Sequence, residues 1–441
     1  MGQPREGFAA MTRIDLRAPV GPGAEAAWAA RTGRSAGLDG DADAAAREIL
    51  KQVRERGDAA VCALTEQFEG RSLTPDTIEV DAERWQGARS RIDTTVLDAL
   101  QVAADNVRRF HRTQKLGSTS IPLAEGTLMS RARPLRRVAV YAPGGTAAYP
   151  SSVLMAAIPA KVAGVREVIL LTPRASDVVL AAAELAAVDR VFEVGGAQAI
   201  AAAAFGTDTI PRVDKIVGPG NAYVTAAKRQ VFGLVDIDAI AGPSEILVLA
   251  DATASPAMVA ADLLSQAEHD RLACAILVTD DEALADAVDA ALVEQLRTLP
   301  RADIAIAALR DHGATVLVAD RSRMIMAANA YAPEHLELLV DKPEQLAEGI
   351  ETAGAIFVGA FTPEAAGDYT AGPSHVLPTA GAARFGSPLG VWDFIKYTSV
   401  LQLTEPMLRQ QASAIVTLAR AEGLEAHARA VEQRVREDDP S

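Results

Sequence analysis

Cysteine and aromatic residues are scarce in this chain of 441 residues. The two cysteines, Cys62 and Cys274, lie far apart in sequence, which excludes a disulfide framework and a zinc site built from several thiolates. Aromatic residues account for only 4% of the chain, so its hydrophobic residues, 49% of the total, are mainly aliphatic. The scarcity of cysteine is typical of a protein in a reducing, cytoplasmic setting.

Positive charge is also limited. The chain has 43 lysines and arginines against 58 acidic residues, a formal net charge of −15, and it has no local basic patch. We therefore expect neither nucleic acid nor an anionic membrane as a partner. Residues 1–6 do not begin a secretory signal, because no basic region is followed there by a sustained apolar stretch. The uncharged residues 138–160 could span a membrane by length, but prolines and glycines interrupt them, so we expect a strand, a turn and the start of a helix.

From Arg137 onward, short β-branched runs alternate with alanine-rich helical runs. This alternation predicts parallel sheets covered by helices on both faces. The predicted strands are Val138–Tyr141, Val168–Leu171, Val191–Val194 and Lys215–Val217, followed by Glu245–Ala250, Cys274–Thr279, Thr315–Ala319, Leu336–Val340 and Ala355–Val358. Ahead of these strands, the spacing of apolar residues predicts that Asp41 to Gly70 is largely helical. The predicted fold class is α/β, with two Rossmann-like parallel-sheet units, an N-terminal helical segment and a C-terminal helical arm.

The predicted domain boundaries follow from where the two series of strands begin and end. Residues 1–40 form an N-terminal segment, and residues 41–140 together with 245–384 form a first α/β domain. Residues 141–244 form a second α/β domain, and residues 385–441 form a C-terminal arm. No further series of strands is predicted in that arm, which ends in a charged helix.

Two segments could supply ligands to a metal ion. Gln266 and His269 are three residues apart at a predicted helix end, so both can face one point. Together they offer one oxygen and one ring nitrogen to a borderline metal such as zinc, although an ordinary polar helix surface has the same pattern. Asp368 lies in a predicted loop, from which its carboxylate can reach outward, but a lone aspartate in a loop is often a turn former.

Two pairs of nearby residues and one further histidine could also take part in catalysis or binding. Glu334 and His335 stand at the entrance of a predicted strand, directly after a proline. Adjacent strand residues point to opposite faces, so we expect the two to act on different protons, unless they are merely a polar strand entrance. His427 lies in the first turn of the last predicted helix with Glu422 just ahead of it, as at many solvated helix starts, and His375 could equally be a loop histidine bonded to backbone.

Three glycine turns follow predicted strands of the first series, at residues 141–145, 195–198 and 218–221. Glycine lets the backbone come close to a ligand, and the helix N-terminus that follows a turn favours phosphate. These turns are compatible with a nucleotide-binding edge, but tight turns of any α/β protein look similar. The nearest match to Gly-x-Gly-x-x-Gly is residues 218–223, where Tyr223 replaces the third glycine, so the pattern alone does not indicate NAD.

Taken together, these segments closely resemble the histidinol dehydrogenase family. The likeness extends from about Ala45 to Arg434, and the matching runs are long and in order. They are residues 150–155, 195–200, 215–221, 241–245, 265–270, 332–337 and 422–429.

The resemblance implies a zinc-dependent enzyme that converts L-histidinol to L-histidine, the last steps of histidine biosynthesis, by two NAD-dependent oxidations through histidinaldehyde. It implies Glu334 and His335 as the catalytic pair. The implied zinc ligands are Gln266, His269, Asp368 and His427. The implied substrate-binding residues are Ser244, Gln266, His269, His335, Asp368, Glu422 and His427, with His375 nearby. The implied NAD-binding residues are Tyr141, Gln198 and Asn221. The family is homodimeric, and the C-terminal arm of one subunit completes the site of the other.

Three other interpretations remain open. A related zinc and NAD dehydrogenase could act on another small alcohol, although Glu422 suits a cationic, imidazole-bearing substrate. A zinc hydrolase could use Glu334 to activate water, but it would leave the glycine turns unexplained. A non-catalytic metal-binding protein would have no use for the pair Glu334 and His335. Neither cysteine lies in a matching run, so we do not expect a thiohemiacetal route.

Overall fold

The computed structural model describes residues 8–18, 20–34, 40–114, 116–123, 126–144 and 148–436. The chain divides into two compact units, Met1–Gln114 with Leu135–Phe394, and Lys115–Pro134 with Ile395–Ser441. Among the described residues, no helix combines the length and the apolar character that a membrane span needs.

The strands, in chain order, are β1 (Thr12–Asp15), β2 (Thr119–Leu123), β3 (Gly126–Pro134), β4 (Arg137–Tyr141), β5 (Glu167–Leu171), β6 (Arg190–Phe192), β7 (Lys215–Val217), β8 (Asp236–Ile237), β9 (Glu245–Ala250), β10 (Cys274–Thr279), β11 (Ala314–Leu317), β12 (His335–Leu339), β13 (Ala355–Val358) and β14 (Ile395–Leu403). The helices are α1 (Pro22–Thr32), α2 (Gly40–Arg56), α3 (Asp58–Glu69), α4 (Pro75–Ile78), α5 (Ala82–Gln86), α6 (Thr94–Arg112), α7 (Pro150–Ala163), α8 (Asp177–Leu185), α9 (Gly196–Phe205), α10 (Ala222–Val231), α11 (Pro256–Ala267), α12 (Glu282–Leu296), α13 (Ala302–Asp311), α14 (Arg321–Tyr331), α15 (Pro343–Ala347), α16 (Glu364–Tyr369), α17 (Glu405–Ala421) and α18 (Glu425–Val435). Short 3-10 turns cover Ala88–Ser90, Ala382–Arg384 and Val391–Phe394.

A six-stranded sheet has the order β1-β11-β10-β9-β12-β13, and all its strands are parallel. Its central strand β9 is buried at every residue, because helices cover both faces of the sheet. Helices α11, α12 and α13 pack on one face, and α1, α14 and α15 pack on the other. A strand buried on both faces carries an uninterrupted apolar run, which is why the sequence predicts β9 and β10 at their observed bounds. The edge strand β13 is also predicted at its observed bounds, although it is only partly buried.

A five-stranded parallel sheet has the order β6-β5-β4-β7-β8. Helices α2, α3, α9 and α10 pack on the face toward which Ala139 and Ile169 project. Nearly every side chain of α9 is buried, because its alanines allow the helix to lie close to the sheet. The predicted fold class, α/β with two Rossmann-like parallel sheets, is confirmed.

Two segments belong to other parts of the fold than the predicted domain boundaries suggest. The residues of α2 and α3 belong to the core of the five-stranded sheet, although the sequence analysis places residues 41–140 with the other sheet. From the N-terminal segment, β1 pairs with β11 and becomes an edge strand of the six-stranded sheet. The helix predicted from Asp41 to Gly70 is interrupted at Gly57, whose φ of +54° is outside the helical region.

The smaller unit contains an antiparallel sheet of order β14-β3-β2, and helices α17 and α18 pack against each other. From about Phe385 the sequence predicts no strong series of further strands, and the structure has the single strand β14 in the described part of that region. The residues of β14 are partly or fully exposed and have mixed polarity, so they lack the apolar run by which the buried strands are recognised.

Candidate active site

A cluster of buried polar side chains lies at the amino edge of the six-stranded sheet. Glu245 begins β9 and His335 begins β12, and these two strands are neighbours, with His335 opposite Ile246. Gln266 lies in the last turn of α11 and His269 just beyond the end of that helix, as predicted. Asp368 lies within α16, not in a loop as the sequence analysis expects. The fold therefore brings residues from four separate segments to one edge.

The His335 imidazole is oriented by the main chain of Glu245. Its Nδ1 donates a hydrogen bond of 2.9 Å to the Glu245 carbonyl oxygen, which leaves the lone pair on Nε2. Nε2 is buried and has no hydrogen-bond partner among the described residues, and Oδ1 of Asp368 lies 4.0 Å from it. Burial lowers the pKa of His335 to about 4, so the ring is neutral at pH 7. A neutral imidazole with a free, buried lone pair can accept a proton.

The carboxylate of Glu334 binds the same residue, because its Oε2 accepts a hydrogen bond of 2.8 Å from the Glu245 N–H. Burial raises the pKa of Glu334 well above its usual range. Oε2 lies 3.8 Å from Nδ1 of His335, so the expectation that the two side chains point to opposite faces is wrong. The reason is that β12 begins at His335, and Glu334 still belongs to the preceding loop.

The amide of Gln266 is completely buried, and its surroundings determine its orientation. Its nitrogen faces Oε1 of Glu364 at 3.0 Å and the Glu245 carbonyl oxygen at 3.2 Å. It also lies 3.0 Å from Nδ1 of His335, whose own N–H points to the same carbonyl oxygen. The amide oxygen then lies 3.5 Å from Nδ1 of His269. Two ligands of one zinc ion at tetrahedral angles lie roughly 3.4 Å apart, given bonds of about 2.0–2.2 Å. The oxygen of Gln266 and the ring nitrogen of His269 therefore have the spacing that a shared cation requires.

Asp368 and His375 complete the open side of this cluster. Nδ1 of His375 donates a hydrogen bond of 3.0 Å to the Asp368 carbonyl oxygen, and it lies 3.9 Å from Oδ1 of Asp368. Burial lowers the pKa of His375, with Asp368 opposing that effect. His269 is exposed, so one side of the cluster is accessible from solvent.

Two buried glutamates of the cluster are not among the residues that the sequence analysis selects. Glu364 accepts a hydrogen bond of 3.1 Å from the Ser265 hydroxyl, and burial raises its pKa well above the usual range. Glu364, His335 and Asp368 offer ligand atoms within 4.8 Å of one another, which is a second possible cation site. Glu245 could have been noticed, because it is an acidic residue at the head of a fully apolar strand. Glu364 has no comparable signal.

The remaining predicted substrate residues lie in different places. Ser244 directly precedes β9, and its carbonyl oxygen accepts a hydrogen bond of 3.0 Å from the Cys274 N–H. Glu422 follows α17 and His427 lies in α18, so both belong to the smaller unit, and both are exposed. Their roles stay predictions.

The predicted NAD-binding residues lie at the carboxyl edge of the five-stranded sheet. Tyr141 ends β4, and its hydroxyl accepts a hydrogen bond of 3.1 Å from the Gly196 N–H. Gln198 is buried in the first turn of α9, and Asn221 caps α10 by accepting a hydrogen bond of 3.0 Å from the Val224 N–H. Strands β4 and β7 are the neighbours between which the strand order reverses, the usual place for a dinucleotide.

The turn after β7 is held by a buried ion pair between Lys228 and Asp238. Oδ2 of Asp238 accepts a hydrogen bond of 2.7 Å from the Gly218 N–H, and Nζ of Lys228 donates one of 3.0 Å to the Gly218 carbonyl oxygen. Gly218 has a φ of +115°, and a Cβ there would lie 2.1 Å from the Tyr141 carbonyl oxygen, so only glycine fits. Gly145 of the first predicted glycine turn lies outside the described residues.

Comparison with known proteins gives a consistent result. The sequence model of the family described as histidinol dehydrogenase matches residues 33–435. The chain is 51% identical over 395 residues to a histidinol dehydrogenase from Syntrophotalea carbinolica, covering 88% of this chain and 92% of that protein. It is 51% identical over 400 residues to one from Rhizobium meliloti, covering 90% and 92%. A crystal structure of a histidinol dehydrogenase from Elizabethkingia anophelis superposes with a TM-score of 0.89 at 36% identity, covering 97% of this chain and 99% of that one. The resemblance is confirmed, and the chain belongs to the histidinol dehydrogenase family, an oxidoreductase of that kind.

Proposed function

We propose that this enzyme converts L-histidinol to L-histidine by two successive NAD-dependent oxidations through histidinaldehyde, with zinc bound at the amino edge of the six-stranded sheet. The observation that carries the proposal is the buried Nε2 of neutral His335, which has no partner in the described part of the chain. An alcohol oxidation needs a base for the hydroxyl proton, and a neutral imidazole is suited to that task.

The side chains divide the work as follows. His335 accepts the hydroxyl proton at Nε2 while Nδ1 stays bound to the Glu245 carbonyl, so the ring does not rotate when its charge changes. Glu334 in its ionised form takes a proton from water during hydration of the aldehyde, and because burial raises its pKa, that carboxylate is a stronger base than an exposed one. Ser244 and His375 contact the substrate.

Zinc, when bound, supplies a Lewis acid that holds the imidazole and the amine of histidinol. Gln266, His269 and Asp368 would hold it, and the spacing of 3.5 Å between Gln266 and His269 supports this choice. The alternative group of His335, Glu364 and Asp368 is less suitable. It would consume the lone pair of Nε2 that His335 needs to act as the base.

NAD, when bound, supplies the hydride acceptor for both oxidations. Tyr141, Gln198 and Asn221 would hold it, since they lie beside the glycine turns at the reversal of strand order. The N-termini of α9 and α10 lie at that edge, which suits a pyrophosphate.

We also propose a cytoplasmic homodimer in which the smaller unit of one subunit supplies His427 and Glu422 to the site of its partner. Both residues are exposed on their own unit. His269→Ala and His427→Ala homodimers should both be inactive. In mixed dimers one site carries both lesions and the other is intact, so random reassociation should restore roughly a quarter of wild-type activity. No recovery, with subunit exchange confirmed by a tag, would contradict the shared site.

The deciding experiment is incubation of the purified enzyme with NAD and L-histidinol, following NADH absorbance and quantifying histidine. We expect about two NADH per histidine, because the alcohol must lose two hydrides to become a carboxylate. NADH formation with another small alcohol but not with histidinol would favour a related dehydrogenase of different specificity.

A further inference from the structure

The main chain of Glu245 holds both proposed catalytic side chains. Its N–H donates to Oε2 of Glu334 at 2.8 Å, and its carbonyl oxygen accepts from Nδ1 of His335 at 2.9 Å. The amide nitrogen of Gln266 also faces that carbonyl, at 3.2 Å. The position of the Glu245 main chain therefore determines the relative positions of His335, Glu334 and Gln266.

The side chain of Glu245 is held in turn by Arg34. The carboxylate is 2% exposed, and it accepts hydrogen bonds from Nε of Arg34 at 2.6 Å and from Nη2 at 2.5 Å. The Ala380 N–H donates a further hydrogen bond of 3.0 Å to Oε1. Two parallel hydrogen bonds between a guanidinium and a carboxylate fix orientation as well as distance.

Arg34 is itself fixed by contacts on its other sides. Its Nη1 donates to the carbonyl oxygens of Arg31 at 3.0 Å and Tyr331 at 3.1 Å. The guanidinium carbon lies 3.3 Å from the centroid of the Tyr331 ring, which is 1% exposed and stacks on Trp28. A lysine could supply the charge but not the planar donor pair or the stacking.

We propose that Arg34 is a positioning residue for alcohol oxidation, acting through Glu245 on His335 and Glu334. The inference rests on the proposed function, because it assigns Arg34 to the same site. Without the guanidinium, the buried carboxylate of Glu245 would lack its counter-charge, and the start of β9 would shift to relieve it. A displacement of about 1 Å at catalytic groups can reduce a rate by roughly a hundredfold.

The test compares Arg34→Ala with a matched control. In Arg34→Ala we expect kcat for histidinol to fall between about tenfold and a hundredfold, while KM for NAD and zinc content stay within about twofold of wild type. Millimolar guanidinium should restore part of kcat by filling the vacated place, whereas urea at the same concentration should not. Arg190 is the control, because it binds Glu79 through the same two nitrogens at 2.8 and 2.6 Å and lies over the ring of Phe192. Arg190→Ala should keep kcat within about twofold and should not respond to guanidinium.

Arg34→Lys provides a second variant should Arg34→Ala fail to fold. It keeps the charge with a single hydrogen bond, so we expect a smaller fall in kcat, again without a change in KM for NAD. If Arg34→Lys, and Arg34→Ala where it folds, are less stable to heat but keep wild-type kcat, the contact is only structural and the inference is wrong. The wild-type rate in the same assay reports on the proposed function, and the ratio of variant to wild type reports on Arg34.

Discussion

Apart from the additional edge strand β1, the two parallel sheets of the larger unit share one strand order, but they carry their candidate groups at opposite edges. In the five-stranded sheet, Tyr141 and Asn221 lie where β4 and β7 end; in the six-stranded sheet, Glu245 and His335 lie where β9 and β12 begin. Both places adjoin the two strands between which the order reverses. The carboxyl edge leads into helix N-termini and favours phosphate, whereas the amino edge offers strand N–H groups that can hold a carboxylate such as Glu334.

The sheets also differ in how a buried ion pair supports each edge. Lys228 and Asp238 are ten residues apart and together bind both backbone groups of Gly218. Arg34 and Glu245 are 211 residues apart, and the backbone groups that they position bind catalytic side chains rather than the pair itself. The first ion pair holds the turn at Gly218, which suits a cofactor. The second connects the N-terminal segment to the residue whose main chain binds the proposed catalytic side chains. A substitution at the edge of the five-stranded sheet should therefore change KM for NAD, whereas a substitution at the edge of the six-stranded sheet should change kcat.

Removal of metal should have the largest effect, and it should act on one edge only. Chelation should reduce turnover to background, because Gln266, His269 and Asp368 are proposed to hold zinc at the six-stranded sheet. NAD affinity, measured by calorimetry, should change by less than about twofold, and added zinc should restore turnover. Full activity in a demonstrably metal-free sample would contradict the zinc proposal.

Loss of the proposed base should cause the next largest fall in activity. His335→Asn should reduce kcat for histidinol by about 10³-fold with NAD affinity unchanged, since general base catalysis contributes roughly 10²–10⁴-fold. Glu334→Gln should mainly slow oxidation of histidinaldehyde supplied as the substrate. Equal losses by both variants on both substrates would refute the division of labour.

A substitution at the carboxyl edge of the five-stranded sheet should have a smaller effect, and it should act on KM for NAD. Asp238→Asn removes the charge opposite buried Lys228 and weakens the hold on Gly218, so we expect KM for NAD to rise about tenfold, equivalent to about 1.4 kcal/mol. The value of kcat at saturating NAD should change little. Asp189→Asn, which breaks the pair with Lys161 on the same sheet, should leave KM for NAD unaltered. An equal rise in both variants would show general destabilisation instead.

Loss of either thiol should have the smallest effect. Cys62→Ala and Cys274→Ala should each retain activity within about twofold, because neither edge uses a sulfur atom. Burial raises the pKa of both thiols, which keeps them protonated and poorly nucleophilic at pH 7. A collapse of the rate in a folded variant would restore a thiol mechanism.

Local sequence pattern predicts best the strands that are buried almost throughout. β9 and β10 are predicted at their observed bounds because apolar runs distinguish them, whereas β14 is missed because its residues are largely exposed. Boundaries of helices are harder to place, as the interruption at Gly57 illustrates.

The candidate site was predictable only where short-range spacing carries information. Gln266 and His269 are three residues apart at a helix end, so their convergence follows from helical geometry. Glu364 and Arg34 have no such signal, because their importance arises from burial and from partners 99 and 211 residues away. The placement of Glu334 near His335 depends on where β12 begins, which is within the usual uncertainty of a strand boundary.

The pairing of β1 with β11 has a consequence for the order in which the chain is made. Thr12 pairs with Ala314, so the edge of the six-stranded sheet cannot close on a ribosome until about three hundred further residues have been translated. The five-stranded sheet and the helices packed on it in its core are complete in sequence by Ile237. The five-stranded sheet, which suits the cofactor, can therefore fold during synthesis. The amino edge that carries His335 can form only when the last third of the chain is being translated, and β1 is an unpaired strand until then.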